Sequence, residues 1–175
     1  MENIIVLKHI RAIVLLPVMV TIVIPAIIIT TTGPGSIDWS LPSPFSIAVP
    51  ITGILLVGLG LVLSINTITL FVLRGQGTLA PWDSTQKLVV QGVYGHVRNP
   101  MISGVFCILL GEAILLQSLH LLYWCVLFVI LNLIYIPLIE EPRLERRFGQ
   151  DYILYKHNVP RWIPRKRPWD ATSKR

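Results

Sequence analysis

The amino-acid sequence predicts an all-α, polytopic membrane protein with about four transmembrane helices, on three observations. Hydrophobic residues make up 53% of the 175 residues, and the mean hydropathy is +0.68. That is more apolar than an ordinary soluble domain of this length. The apolar residues gather into uncharged runs long enough to cross a bilayer, which takes about 20 helical residues. Finally, the 15 Lys and Arg residues occupy only some of the connections. Lys8 and Arg11 precede the first run, Arg74, Lys87 and Arg98 lie between the second and third, and the other ten follow the fourth, from Arg143 to Arg175. With four spans every one of them faces one side, which the positive-inside rule makes the cytoplasm, so both termini are expected there. The net charge of +6 and the basic run Arg165-Lys166-Arg167 then reflect topology and anionic lipid head groups. Membrane lipids, and not nucleic acid, are the expected partners.

Taken in order, residues 1–175 read as a single membrane domain without an internal repeat. The first span is expected over 12–32. It is too long for a signal-peptide core and has no convincing cleavage site after it, and Pro17 and Pro25 are tolerable kinks. Gly33–Pro44 is a turn-rich outer loop with Trp39 at the interface. The second span is expected over 45–73, where Gly53, Gly58 and Gly60 offer close helix approach. The inner connection 74–100 is long enough to suggest function. Met101–Ile139 carries one charge, Glu112, and is too long for one crossing at about 1.5 Å per residue. It divides into spans over 101–118 and 121–139 around Gln117–His120. Pro142 suits the first turn of a charged helix over Glu141–Phe148, and Gly149 its C-cap. A further short helix is expected over Asp151–Asn158. Pro160 and Pro164 end regular structure, leaving 165–175 as a loose basic tail. Cys107 and Cys125 lie in apolar runs and read as buried small hydrophobes, with no disulfide or metal spacing.

Two polar stretches flank the last two spans: Gln91–Met101, reading QGVYGHVRNPM, and Ile139–Arg143, reading IEEPR. They read as halves of one site at the membrane surface. Each residue also has a plainer reading. Arg98 can be a topogenic cation, and Glu140-Glu141 the acidic start of a surface helix favoured by its dipole. Tyr94 can be an interface aromatic, and His96 a solvated loop residue. Glu112, about 18 Å into the membrane counted from Pro100, is a functional candidate by its cost. Otherwise it is a protonated acid bonded to an intramembrane Asn such as Asn66 or Asn132.

In this order the residues Leu88-Val89, Gly92-Val93-Tyr94, Arg98-Asn99-Pro100-Met101, Gly104, Glu140-Glu141, Leu144, Phe148-Gly149, Tyr152, Tyr155 and Val159-Pro160-Arg161 form a pattern. It resembles the membrane-embedded methyltransferases of the isoprenylcysteine carboxyl methyltransferase and phospholipid N-methyltransferase superfamily, over roughly 86–164. The resemblance implies S-adenosylmethionine as methyl donor and a site at the cytoplasmic face capped by the C-terminal helix. By position, Leu88, Val89, Tyr94, Arg98, Asn99, Pro100, Met101, Glu140 and Glu141 would bind this cofactor, with Arg98 and Glu141 as the candidate catalytic residues.

The chemistry of these side chains agrees. Arg98 can fork onto the donor's carboxylate, and a glutamate can accept from its ammonium or ribose hydroxyls. Tyr94 and Leu88–Val90 offer apolar surface to adenine, and Pro100 opens a helix whose N–H groups can face an anion. Methyl transfer from a sulfonium needs no metal; it needs alignment and exclusion of water. Arg98 and Glu141 are expected at the membrane surface rather than in a packed core, so removing either should change stability little. A lipophilic acceptor would enter sideways from the bilayer.

Two departures narrow its identity. Asn99 stands where these enzymes generally have His, and it cannot carry a proton at neutral pH. Tyr135–Ile139 has no arginine of the kind that holds a prenylcysteine carboxylate, which makes that substrate the weaker choice. The rival expectations are a nicotinamide-dependent membrane reductase, although the Arg-His-x-x-Tyr element of sterol reductases is absent, and a non-catalytic membrane scaffold.

Overall fold

The computed structural model describes residues 16–35, 42, 45–70 and 88–169. All regular structure among the described residues is helical. Helix α1 covers Leu16–Thr32, α2 Phe45–Leu70, α3 Pro100–Leu115 and α4 Leu119–Tyr135. A π-helical turn, Ile136–Glu140, carries α4 directly into α5, Glu141–Phe148. Gly149, at φ +55°, ends α5, and α6 follows over Gln150–Asn158. A 3-10 turn, Gly92–Gly95, precedes α3.

Ser46–Leu70 and the continuous run Leu119–Phe148 are each long and apolar enough to cross a membrane, with mean hydropathies of 2.4 and 2.3. Only 11% and 17% of those windows are buried inside the protein. A core helix of a soluble protein would be mostly covered; these leave Ile47, Ile54, Leu55, Ile65, Leu131 and Leu138 exposed, a surface suited to lipid. The protein is therefore an all-helical membrane protein.

The other two expected spans are shorter. α3 has 16 residues, below the roughly 20 that a full crossing needs. It stops at Leu115 rather than continuing to 118 because Gln117 takes φ +50° and the Ser118 hydroxyl receives the Leu121 N–H at 3.4 Å. The described part of α1 begins at Leu16. Residues 12–15, 71–73, Trp39, Arg74 and Lys87, on which parts of the sequence reading rest, lie outside the described residues.

The chain divides into two compact units. One comprises described residues of Leu15–Val62 and Ile102–Asn132. Here α2 and α3 meet backbone to backbone. A Cβ on Gly60 would sit 2.5 Å from the Gly104 carbonyl oxygen, and one on Gly111 would sit 2.8 Å from that of Gly53. The two contacts are seven residues apart on each helix, an antiparallel register that only small residues permit. Gly58, expected to join them, faces open space.

Val105, Leu109 and Cys125 form a buried cluster with Val20, Trp124 and Phe128 against it. In α1, the Ile24 N–H reaches back to the Met19 carbonyl. The next donor in that π pattern would be Pro25, which has no N–H, so the Val20 carbonyl loses its helical partner. The Trp124 indole donates to it at 3.1 Å.

The second unit comprises described residues of Leu63–Met101 and Leu133–Arg175. Its core is Tyr152, Tyr155 and Val159, packed with Leu88, Val90, Leu144, Phe148 and Trp169. Backbone hydrogen bonds tie the chain after α6 to the turn before α3: Arg98 N–H to the Pro160 carbonyl at 2.9 Å, Arg165 N–H to His96 at 3.0 Å and Trp169 N–H to Gly95 at 2.9 Å. The start of the expected loose tail is thus pinned as far as Trp169. Two prolines end helix there, but they leave extended backbone with N–H groups to share.

Candidate functional site

The second unit gathers most of the residues singled out above. Pro100 starts α3, since its fixed φ suits a first helical turn and it has no N–H to satisfy there. The residues before it cannot continue a helix, and the 3-10 turn aims Tyr94 inward. Tyr94 is 8% exposed and Val89 equally covered; the Tyr155 hydroxyl donates to the Tyr94 carbonyl at 2.8 Å. Leu88 packs against the Tyr152–Tyr155–Val159 cluster. Asn99 and Met101 are half-buried, and the Asn99 amide points at the Arg161 carbonyl from 3.5 Å.

Glu141 lies at the centre. The apolar stretch of the long helix ends at Ile139, so Glu140 and Glu141 lie past its membrane-crossing part. Glu141 is only 2% exposed. Arg98 Nη1 donates to its Oε1 at 2.9 Å. Arg161 grips both oxygens, Nε to Oε1 at 2.7 Å and Nη2 to Oε2 at 2.9 Å. Lys156 Nζ lies 3.1 Å from Oε2 and 2.7 Å from Glu145. Burial pushes the Glu141 carboxyl's pKa up, but hydrogen bonds from Arg161 and Lys156 and the Arg98 charge outweigh it and hold it below the usual range. The expectation that Arg98 and Glu141 stand outside a packed core is corrected: the Arg98 side chain is 9% exposed and that of Glu141 3%. A buried carboxylate is tolerable only with cations around it.

Glu140 behaves differently. Its side chain is half-buried and makes no hydrogen bond or ion pair among the described residues. Burial, then the neighbouring Glu141 charge, raises its pKa, with Arg143 partly offsetting. On the other stretch, Arg98 Nε is buried without a hydrogen-bond partner among the described residues. Around them Tyr152 is pushed up to about 12 by burial first, and burial likewise raises Tyr94 and Tyr155. These phenols stay neutral.

The match between residues and pattern extends to the family. A family model described as phospholipid methyltransferase matches residues 49–151, more than half of the chain. The chain belongs to the phospholipid methyltransferase family. No significant match is found among curated proteins. For this methyltransferase the matched region takes in most of α2, the Gly92–Gly95 turn, α3, α4 and α5, and so both polar stretches.

Sequence reasoning assigned no role to Lys156 or Arg161, yet they supply most of the hydrogen bonds on Glu141. Arg161 had a signal in the Val159-Pro160-Arg161 motif, whereas Lys156 had only its place on α6. His96, expected as a solvated loop residue, is half-buried in the turn before α3, with Nδ1 2.8 Å from the Arg165 carbonyl oxygen. Glu112 belongs to the other unit, where its Oε2 is buried without a partner among the described residues, while Asn132 donates to the Phe128 carbonyl.

Proposed function

We propose that this protein transfers a methyl group from S-adenosylmethionine to a lipid-like acceptor at the cytoplasmic membrane face. We further propose that it crosses the membrane four times with both termini inside. The observation that supports the site is the Arg98–Glu141 bridge, which joins stretches 43 positions apart. Beside it stand Arg98 Nε and the Glu140 carboxylate, neither with a hydrogen-bond partner among the described residues.

These two groups fit the ends of the donor: a buried guanidinium edge for its carboxylate, and a glutamate for its ammonium or ribose hydroxyls. Glu141 would act one step back, fixing Arg98 while Arg161 and Lys156 neutralise it. Leu88, Val89 and Tyr94 offer the adenine an apolar wall, and Asn99, Pro100 and Met101 set the start of α3 against it. When bound, the donor supplies an electrophilic methyl; the protein aligns the nucleophile with it and keeps water out.

Equilibrium binding of S-adenosylhomocysteine and of NADPH to detergent-purified protein tests the reading against its rivals. S-adenosylhomocysteine alone should bind. Preference for NADPH would indicate a reductase, and binding of neither a scaffold. Arg98→Ala should weaken S-adenosylhomocysteine about ten- to a hundredfold, the usual worth of a hydrogen bond to a charged group. Arg98→Lys should stay impaired. For topology, Ser36→Cys and Ser173→Cys should label with impermeant maleimide from opposite faces; labelling from one face would sink the four-span arrangement.

A further inference from the structure

Methylation of an amine or hydroxyl releases a proton, and the groups placed around Arg98 are engaged otherwise. Glu140 is assigned above to the donor's ammonium or ribose hydroxyls. Glu141 is held ionised by Arg98, Arg161 and Lys156, and the phenols are neutral and buried. We infer that His96 Nε2 is the base that takes this proton, and that the groove beside it holds the reacting head of the acceptor. This inference rests on the methyl-transfer reading above.

Three observations carry it. First, the His96 tautomer follows from its partner. A carbonyl oxygen only accepts, so the 2.8 Å contact with Arg165 puts the proton of a neutral imidazole on Nδ1 and leaves the lone pair on Nε2. Second, Nε2 has no hydrogen-bond partner among the described residues. Third, His96 lines an open groove of about 520 Å³ with Asn66, Thr69, Leu70, Gly92, Val93 and Pro168.

The groove's make-up fits an amphipathic acceptor. Leu70 and Val93 provide apolar wall, and Asn66 and Thr69 provide polar atoms at the last turn of α2, where a membrane helix reaches the head-group level. None of the groove residues is among those assigned to the donor. His96 stands two residues before Arg98 on the same backbone-pinned segment, so one short segment would carry both the donor's anchor and the acceptor's base.

The acceptor class is a lipid amine or hydroxyl, with a proton to lose. For an amine, nitrogen's lone pair forms the new bond to the methyl carbon. The methyl–sulfur bond breaks with its electron pair going to sulfur, and the N–H proton passes to His96 Nε2. The Arg165 carbonyl steadies the resulting imidazolium through Nδ1.

His96→Asn is the informative variant, because an Asn amide can still donate to the Arg165 carbonyl but has no basic nitrogen. With vesicles of phosphatidylethanolamine and phosphatidylglycerol and tritiated S-adenosylmethionine, it should transfer label to lipid about a hundredfold more slowly than the wild type, within the usual worth of a general base. Its thermal midpoint and S-adenosylhomocysteine affinity should be unchanged.

A second readout needs no donor. Diethyl pyrocarbonate should carbethoxylate His96 in the ligand-free protein, read by peptide mass spectrometry, and dodecylamine should protect it. Wild-type turnover in His96→Asn, or a His96 that resists the reagent, would overturn the inference while leaving the donor site intact. Absence of transfer or of S-adenosylhomocysteine binding in the wild type would instead overturn the methyl-transfer reading, and this one with it.

Discussion

The two units of this protein cohere by opposite means. In the unit built on α2, α3 and α4, glycines bring helix backbones into contact and apolar side chains fill the remaining space. In the unit that carries the site, a buried glutamate collects two arginines and a lysine, and backbone hydrogen bonds pin the chain after α6 to the turn before α3. The difference follows from the solvent. Lipid is as apolar as leucine, so helices within it are selected by shape and small residues. Where polar groups gather, a buried charge survives only when it is partnered.

The sharpest way to break the contrast is Glu141→Gln. It leaves Arg98, Arg161 and Lys156 facing a neutral amide, and removing one side of a buried ion pair costs about 3–5 kcal/mol. Thermal unfolding in detergent should show this, and Gly60 variants should not reproduce its pH signature. Because the Glu141 pKa is depressed in the folded state, its contribution is complete above the ordinary glutamate range. It is lost as pH falls through the lowered folded value. The wild-type midpoint should therefore drop on acidification below about pH 4–5, and Glu141→Gln should lack that component.

Next comes the glycine contact. Gly60→Val drives a side chain into the Gly104 carbonyl and should cost about 1–3 kcal/mol, the range for overpacking. Gly58→Val, two residues away and facing open space, should stay within about 0.5 kcal/mol of the wild type. Equal effects at both positions would remove the close-packed register. The expected loss at Gly60 should be insensitive to pH.

The smallest effect probes the Trp124 indole, which serves the Val20 carbonyl. Trp124→Phe should cost about 1 kcal/mol, one hydrogen bond. In a Pro25→Ala background the restored N–H can serve the Val20 carbonyl, so the same substitution should cost less. A double-mutant cycle measures that coupling; an additive pair would refute the assignment of Pro25 as the cause of the orphaned carbonyl.

Much of this was legible in the residues. The apolar runs, the break near Gln117, the charged helix over Glu141–Phe148 and its Gly149 cap follow from local chemistry, which acts over a few neighbours. So does Pro100 at the start of α3. The motif order alone placed Arg98 and Glu141 in one family pattern. The pattern could not say what they would touch. Arg98 and Glu141 were expected outside a packed core, yet their side chains are almost fully covered.

That outcome depended on Lys156 and Arg161, which reach Glu141 only once α6 and the chain after it fold back. The same fold-back gave His96 Nδ1 a carbonyl partner and turned a basic tail into a pinned segment as far as Trp169. Where the helices form, and which of their stretches suit lipid, could be read along the chain, because those rules depend on nearby residues. Which charges are buried together, and which nitrogen of His96 meets a backbone carbonyl, came with the folded arrangement. Those depend on partners dozens of residues away, and on backbone groups whose availability no side-chain pattern records.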